Sequence, residues 1–302
     1  MAYDVSTLGT YTKEVGFDML RAAIYEGQTS KFIRTVTGAG SNYKVPTVSN
    51  TITLQNQGCN LSSSGVTTLG QASISLCPLN YTNDLCDPDL RDKYTSEYLP
   101  KSEGKKDVIP FEAEILGDIA SGIAEKVDSI IWNGDSTLGC TGFIGLLTGT
   151  SFSSSTTNIT SFTAATTTSN IMSMLDEIST QYPFDNVNKK STIWLSAVNY
   201  KRFLIAGRNA NYFNYKFDEV PEGIAYPGAI NIYVRPTAGI TSNNIMICAA
   251  DDNLIFGTTN EKDSQTLDVQ YDNVRKFNRI SADWKQGVTV AFPSQVVVLT
   301  IA

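Results

Sequence analysis

Apolar residues return at every fourth place through "FEAEILGDIASGIAEKVDSIIW", at Phe111, Ile115, Ile119, Ile123, Val127 and Ile131. Four residues overshoot one helical turn, so this row winds around the axis and the two ends of the helix face different neighbours. Pro110 at the first position, Glu112 and Glu114 in the first turn, and Gly134 beyond Asn133 mark its limits. At 1.5 Å per residue the helix spans roughly 35 Å. A shorter amphipathic helix is predicted in "EVGFDMLRAAIYEG", with Phe17, Leu20 and Ile24 on one face and Gly27 as its stop. Others are predicted through Ile171, Leu175, Ile178 and Tyr182, and after Ser196, with Gly207 closing the latter.

Alternation replaces the helical period from Tyr43 to Leu79. Two segments, Val48 to Leu54 and Val66 to Leu76, flank a Gly, Asn and Ser centre and predict a long two-stranded hairpin. Thr, Ser, Gln and Asn dominate both of its faces, and such a ribbon is not stable alone. It therefore has to lie on something else. "NDLCDPDLRDKYTSEYL" predicts a turn and a short helix, and the Ser/Thr-rich residues 150–169 an exposed loop. "STIWL" reads as a buried strand. The last third breaks into seven β runs: "AINIYVRP", "NNIMICAA", "NLIFGTT", "QTLDVQY", "RKFNRISADW", "GVTVAF" and "QVVVLTI". Helices early and strands late make the class α+β rather than a parallel βαβ repeat.

Composition removes several functions. The chain contains no histidine, which excludes Ser-His-Asp and Cys-His catalysis and histidine-ligated metals. A net charge of −7 opposes tight, sequence-independent binding of nucleic acid. Five cysteines, Cys59, Cys77, Cys86, Cys140 and Cys248, have irregular spacing and no Cys-x-x-Cys pair, which fits buried reduced thiols rather than a disulfide frame or zinc site. No secretory signal opens the chain and no apolar run reaches membrane-spanning length, so the sequons at Asn60, Asn80 and Asn158 are read as chance.

Candidate chemistry is weak throughout. Gly139, Gly142 and Gly145 follow a helix, whereas phosphate-binding glycine motifs follow a strand. They read instead, with Gly134, as a structural joint. The acidic run Asp84, Asp87, Asp89 and Asp92 lacks the glycine and final glutamate of a calcium loop and reads as a solvated turn with helix capping. Asp251, Asp252 and Asn253 read as a tight turn, and Trp132, Trp194 and Trp284 as core or interface. No catalytic residue, cofactor or metal ligand is assigned, although carboxylate or lysine catalysis stays open.

In this order the parts resemble the major capsid protein of tailed double-stranded DNA bacteriophages, the HK97-like fold. The motifs carrying the likeness are "NGDSTLGCTGFIGLLTG" after the long helix, "IWLSAVNYKRFLI", and the closing "FNRISADWKQGVTVAFPSQVVVL", where Ser294 and Gln295 after Pro293 depart mildly from the usual pattern. The resemblance implies an N-terminal arm at 1–42, an extended E-loop at 43–80, and a P domain at 81–134 whose spine helix is 111–133. An A domain at 135–255 includes loop 150–169, and strands at 256–302 return to the P domain and close the A domain. It implies a virion protein that assembles in the host bacterial cytoplasm into pentamers and hexamers of an icosahedral shell. Thr53, Leu54, Gln55, Cys59, Leu61, Val66 and Leu69 would make inter-subunit contacts, and packaged DNA would be only a non-specific neighbour. Between Lys44 and Arg91 there is no lysine, so an E-loop lysine cross-link is not expected. The arm starting near Met1 leaves no room for a fused scaffolding segment. A separate scaffolding protein, a portal and decoration proteins are the implied partners, with no membrane. The alternatives are an encapsulin-type compartment shell and another virion protein such as a tail tube subunit.

Overall fold

Among the described residues the strands form two mixed sheets, a two-stranded ribbon and one small two-stranded hairpin. The computed structural model describes residues 29–40, 42–56, 65–86, 110–149, 152, 155–183, 189–210, 223–259, 266–272 and 277–301. The arm helix read at 14–27 and the short helix read beyond Cys86 lie outside them.

In the first sheet, β1 (Arg34–Val36) runs parallel to β12 (Leu254–Thr258), which pairs antiparallel with β14 (Phe277–Val290). β14 then pairs with both β13 (Thr266–Asp272) and β4 (Cys77–Cys86). The second sheet has the order β7 (Thr157–Ile159), β15 (Val297–Thr300), β11 (Ile245–Ala250), β8 (Ser191–Ser196), β10 (Ile232–Thr237) and β9 (Ile224–Ala225). β8 is buried at every position and β11 at all but its first, so both strands are covered on both faces. Helix α3, after α1 (Pro110–Asn133) and α2 (Phe143–Thr148), spans Ile171–Gln181 and buries Ile171, Met174, Leu175 and Ile178, the 3.6-residue stripe. α4 (Ala197–Asn209) starts at Ser196, whose side chain accepts from the Asn199 N–H as a cap.

α1 lies against the first sheet. Ile123, Val127 and Ile131 are buried there with Cys77, Leu79, Ile280, Ala282 and Trp284, and Ile119 is half-buried beside them. One residue on from this row, about 100° around the axis, Asp128 and Trp132 face the second sheet's side of the helix. The C-terminal end of α1 thus meets both sheets through two adjacent faces.

The ribbon is β2 (Asn42–Thr51) with β3 (Val66–Ser75), in register from Asn42 opposite Ser75 to Thr51 opposite Val66. Only its foot is buried: Val45 and Ile74 close over Ala39, Leu76 and Ile255. Gly257 of β12 and Gly287 of β14 lie directly opposite each other beneath this foot. A Cβ on Gly257 would come 3.0 Å from Ile74 Cγ2, and one on Gly287 would overlap the Ser75 carbonyl oxygen. The glycine pair lets the ribbon's foot sit on the sheet.

Four readings from the sequence need correction. "RKFNRISADW" and "GVTVAF" form one continuous β14, because Gly287 serves close packing and not a turn. Gly207 does not close α4, which runs on to Asn209 with Gly207 on its buried face. "NDLC" is strand and not turn, and Asp84 there forms a two-bond ion pair with Arg279, its cross-strand neighbour, at 2.8 and 3.0 Å. Cys77 and Cys140 form a disulfide, whereas reduced thiols were expected. Their 63-residue separation hides a proximity that only the tertiary fold creates.

Gly287→Ala is expected to lift the ribbon's foot and cost about 1–3 kcal/mol of stability, the usual penalty for overpacking a tight site. Equilibrium denaturation of the variant beside the parent chain measures it.

Candidate assembly surface and domain joint

Beyond its foot the ribbon exposes apolar side chains. Val48 and Leu69 are directly opposite each other on one face and are 52% and 77% exposed. Val66 projects on the other face, and Ile52 and Leu54, just past β2, are 81% and 92% exposed. This corrects the reading of a ribbon polar on both faces. Of the candidate contact residues, Thr53, Leu54 and Gln55 form an exposed segment after β2, while Val66 and Leu69 lie on β3. Cys59 and Leu61 lie outside the described residues. Val48 and Ile52 were missed, although the register that pairs Val48 with Leu69 follows once the hairpin's strands are aligned. Large apolar side chains left exposed in this way point to an interaction site, and among the described residues the ribbon pairs with no third strand.

Between α1 and the strands β4 and β14 runs an open groove of about 940 Å³, lined by Leu79, Tyr81, Ile119, Ile123, Lys126 and Trp284 among others. No group of three His, Cys, Asp or Glu among the described residues could hold a metal ion.

The four glycines of the joint play unequal parts. Gly134 has φ +72° and Gly139 φ +69°, the left-handed region that glycine enters without strain. Gly134 ends α1 and begins the small hairpin β5 (Gly134–Asp135) with β6 (Cys140–Thr141). Within it, Thr137 donates from both its N–H and its hydroxyl to Asp135 Oδ1, which holds that carboxyl below its ordinary value. A Cβ on Gly142 would overlap Gly134 N and crowd the Trp132 carbonyl. Gly145 meets nothing nearer than 3.6 Å, so its position tolerates a side chain.

Behind the joint lies a polar network that no motif announced. Asp128 is 3% exposed, and its carboxylate accepts from the Thr29 N–H at 3.0 Å, the Thr237 hydroxyl at 2.7 Å and the Gly239 N–H at 2.9 Å. Trp132 Nε1 donates to Thr29 Oγ1 at 2.7 Å, and the two threonine hydroxyls are 3.3 Å apart. Because Thr237 gives its proton to the carboxylate and Thr29 receives one from the indole, the hydroxyl of Thr29 must donate to Thr237. The donors run in one direction, from indole to Thr29 to Thr237 to carboxylate, an arrangement whose members polarise one another. An Asp set beside the apolar row, next to Val127 and one turn before Trp132, was the available signal.

Aromatic stacking extends this network. Trp132 lies 5.3 Å from Trp194 and 5.4 Å from Phe143, centroid to centroid. The Arg235 guanidinium sits 3.8 Å from the Phe32 ring centre and 3.6 Å from the Asp251 carboxylate. Burial pushes the Asp251 carboxyl up, against the Thr192 hydrogen bond and the Arg235 charge, which pull it down. Asp251 therefore has a tertiary role beyond the turn.

No protein-family model matches this chain, and no curated protein matches it in sequence. Solved structures do match in shape. The satellite phage P4 procapsid, which includes its size determination (Sid) protein, superposes with TM-score 0.60 at 9% identity, covering 94% of this chain and 89% of that one. The capsid of a native GTA particle gives TM-score 0.55 at 11% identity over 93% of this chain and 90% of that one. The virus-like particle from Pyrococcus furiosus gives 0.53 at 11% identity over 95% and 98%. At these identities the likeness establishes the fold: over nine-tenths of its length, this chain is folded as the proteins of those particles are.

Asp128→Ala is expected to lower stability by about 3 kcal/mol, because it leaves buried donors from two other segments without an acceptor. Urea titration followed by Trp132 and Trp194 fluorescence reads the loss. In the joint, Gly142→Ala should destabilise and Gly145→Ala should be neutral or stabilising by up to ~1 kcal/mol, since alanine is the better helix former inside α2. A pair of thermal melts separates the two positions.

Proposed function

We propose that this chain is the major capsid protein of a tailed double-stranded DNA bacteriophage, building pentamers and hexamers of an icosahedral shell. The observation that carries the reading is the ribbon: a protein with two finished cores extends ten-residue paired strands whose exposed face is apolar at Val48 and Leu69. The capsid fold of its structural neighbours supports a structural rather than catalytic role. In this reading the ribbon is an HK97-type E-loop, the sheet β1–β12–β14–β13 with β4 and α1 is the P domain, and the sheet containing β8, β10 and β11 is the A domain.

A neighbouring subunit supplies what the ribbon lacks. Its groove between α1 and β4 offers Leu79, Ile119 and Trp284 to the apolar tip, while backbone edges gain partners along the way. Such contacts are heterologous, so they close into rings and then into a shell. Assembly takes place in the host bacterial cytoplasm with a separate scaffolding protein, and a portal and decoration proteins complete the virion. The net charge of −7 keeps packaged DNA from adhering to the shell lining. The second reading is an encapsulin-type compartment, since a shell fold by itself does not fix the content. Co-purification of DNA rather than a cargo enzyme separates the two.

Leu69→Asp should leave the subunit folded, since the residue is exposed, and abolish closed shells. Electron microscopy of the co-expressed variant, with circular dichroism of the soluble fraction, tests this. Normal shells built from Leu69→Asp subunits would defeat the ribbon's assigned role.

A further inference from the structure

We propose that the Cys77–Cys140 pair is a staged covalent staple. It is two thiols while the chain folds and assembles, and a disulfide once the finished particle meets an oxidant. The inference rests on the reading of the chain as a shell subunit made inside a bacterial cell.

Position is the first argument. Leu76 alone separates the end of β3 from Cys77, so the bond is fastened at the ribbon's foot. Cys140 lies in the joint hairpin that follows α1. The cross-link therefore ties the base of the proposed inter-subunit lever to the end of the longest helix. Without it the foot is held by the small cluster of Ala39, Val45, Ile74, Leu76 and Ile255. A load on the ribbon's far end acts on that cluster first. With the bond closed, peeling the foot away would carry the joint with it.

Accessibility supplies the staging. Cys77 is 6% and Cys140 5% exposed, packed by Ile130, Ile131, Phe256 and Val288 around a residual cavity of about 10 Å³. That space admits one water at most. Thiols in apolar surroundings are slow nucleophiles because the thiolate is disfavoured there. Exchange therefore waits on brief opening of the foot. A reducing cytosol keeps such a pair reduced during synthesis, and closure lags assembly. Cys248 provides the contrast: it is fully buried between β8 and β15, and burial pushes its thiol far up.

The chemistry balances with a small-molecule disulfide as oxidant. One cysteine thiolate attacks the reagent, forming a mixed disulfide and releasing one thiol. The second cysteine then displaces the other half, so the pair loses two protons and two electrons and the reagent becomes two thiols.

The test uses the full chain in assembled particles. Cells grown without oxygen are lysed directly into denaturant containing N-ethylmaleimide, and peptides are mapped by mass spectrometry. Both Cys77 and Cys140 should carry the label. Unlabelled particles are then treated with oxidised glutathione. Labelling at the two positions should vanish together, a linked peptide should appear, and particle half-life at a denaturing temperature should lengthen several-fold. Cys77→Ser/Cys140→Ser particles should show the shorter half-life with or without oxidant. The comparison of reduced with oxidised parent particles stands even if that variant misfolds. A linked peptide already present in quenched cells, no linked peptide after oxidant, or equal half-lives would overturn the proposal. If the parent chain forms no particles in micrographs, the shell reading itself fails; that outcome is distinct from a failure of the thiol chemistry.

Discussion

A buried carboxylate decides how the two halves of this protein meet. Removing an unsatisfied carboxyl group from water costs several kcal/mol, so Asp128 can be 3% exposed only where donors converge on it. They come from Thr29, from the end of β10 at Thr237, and from Gly239. None of these belongs to α1. The second sheet and the segment leading into β1 are thereby fixed on the end of the helix in one arrangement, since any slip would leave the buried oxygens without donors. Apolar packing of Trp132 on Trp194 supplies attraction across the same contact, but aromatic surfaces tolerate sliding in a way that a threefold set of hydrogen bonds does not. Gly239 shows how close the approach is: a Cβ there would overlap both the Asp128 carbonyl and the Trp132 ring.

Legibility in the sequence followed the range of the interaction. The long helix was readable because Ile123, Val127 and Ile131 repeat locally, and its end was readable because Gly134 alone suits φ +72° at little cost. The buried strand Ser191–Ser196 and the cap at Ser196 were local too. Gly287 was misread for a physical reason. Glycine serves both backbone turning and close approach, and a single sequence does not distinguish them when the approaching atoms, here Ser75 and Ile74, lie some two hundred residues away. Sequence separation also hid the partnership of Cys77 with Cys140, 63 residues apart, and that of Asp84 with Arg279, 195 apart. In the candidate surface, Leu54, Val66 and Leu69 were identified from alternation, but Val48 and Ile52 became visible only with the register.

The ribbon and the cores obey opposite rules. In the cores, Trp194, Phe203 and Phe256 are wholly buried and strands such as β11 and β12 are covered on both sides, so those regions need nothing further. In the ribbon, burial stops after Val45 and Ile74, and beyond them the described residues form a pair of strands with no third strand beside it. Two-stranded sheets are marginal in water because half of each strand's backbone groups stay hydrated and little apolar area is hidden. The glycine pair beneath the foot and the cross-link beside it resist that marginality at one end only. The exposed Leu54 and Leu69 add nothing to the subunit's own stability, and burial of those side chains at roughly 25 cal/mol per Å² becomes available only when another surface covers them. In the shell proposed above, ribbon and groove lie at different places on each subunit, so satisfying the first on one neighbour would leave the second open to another until the ring closes.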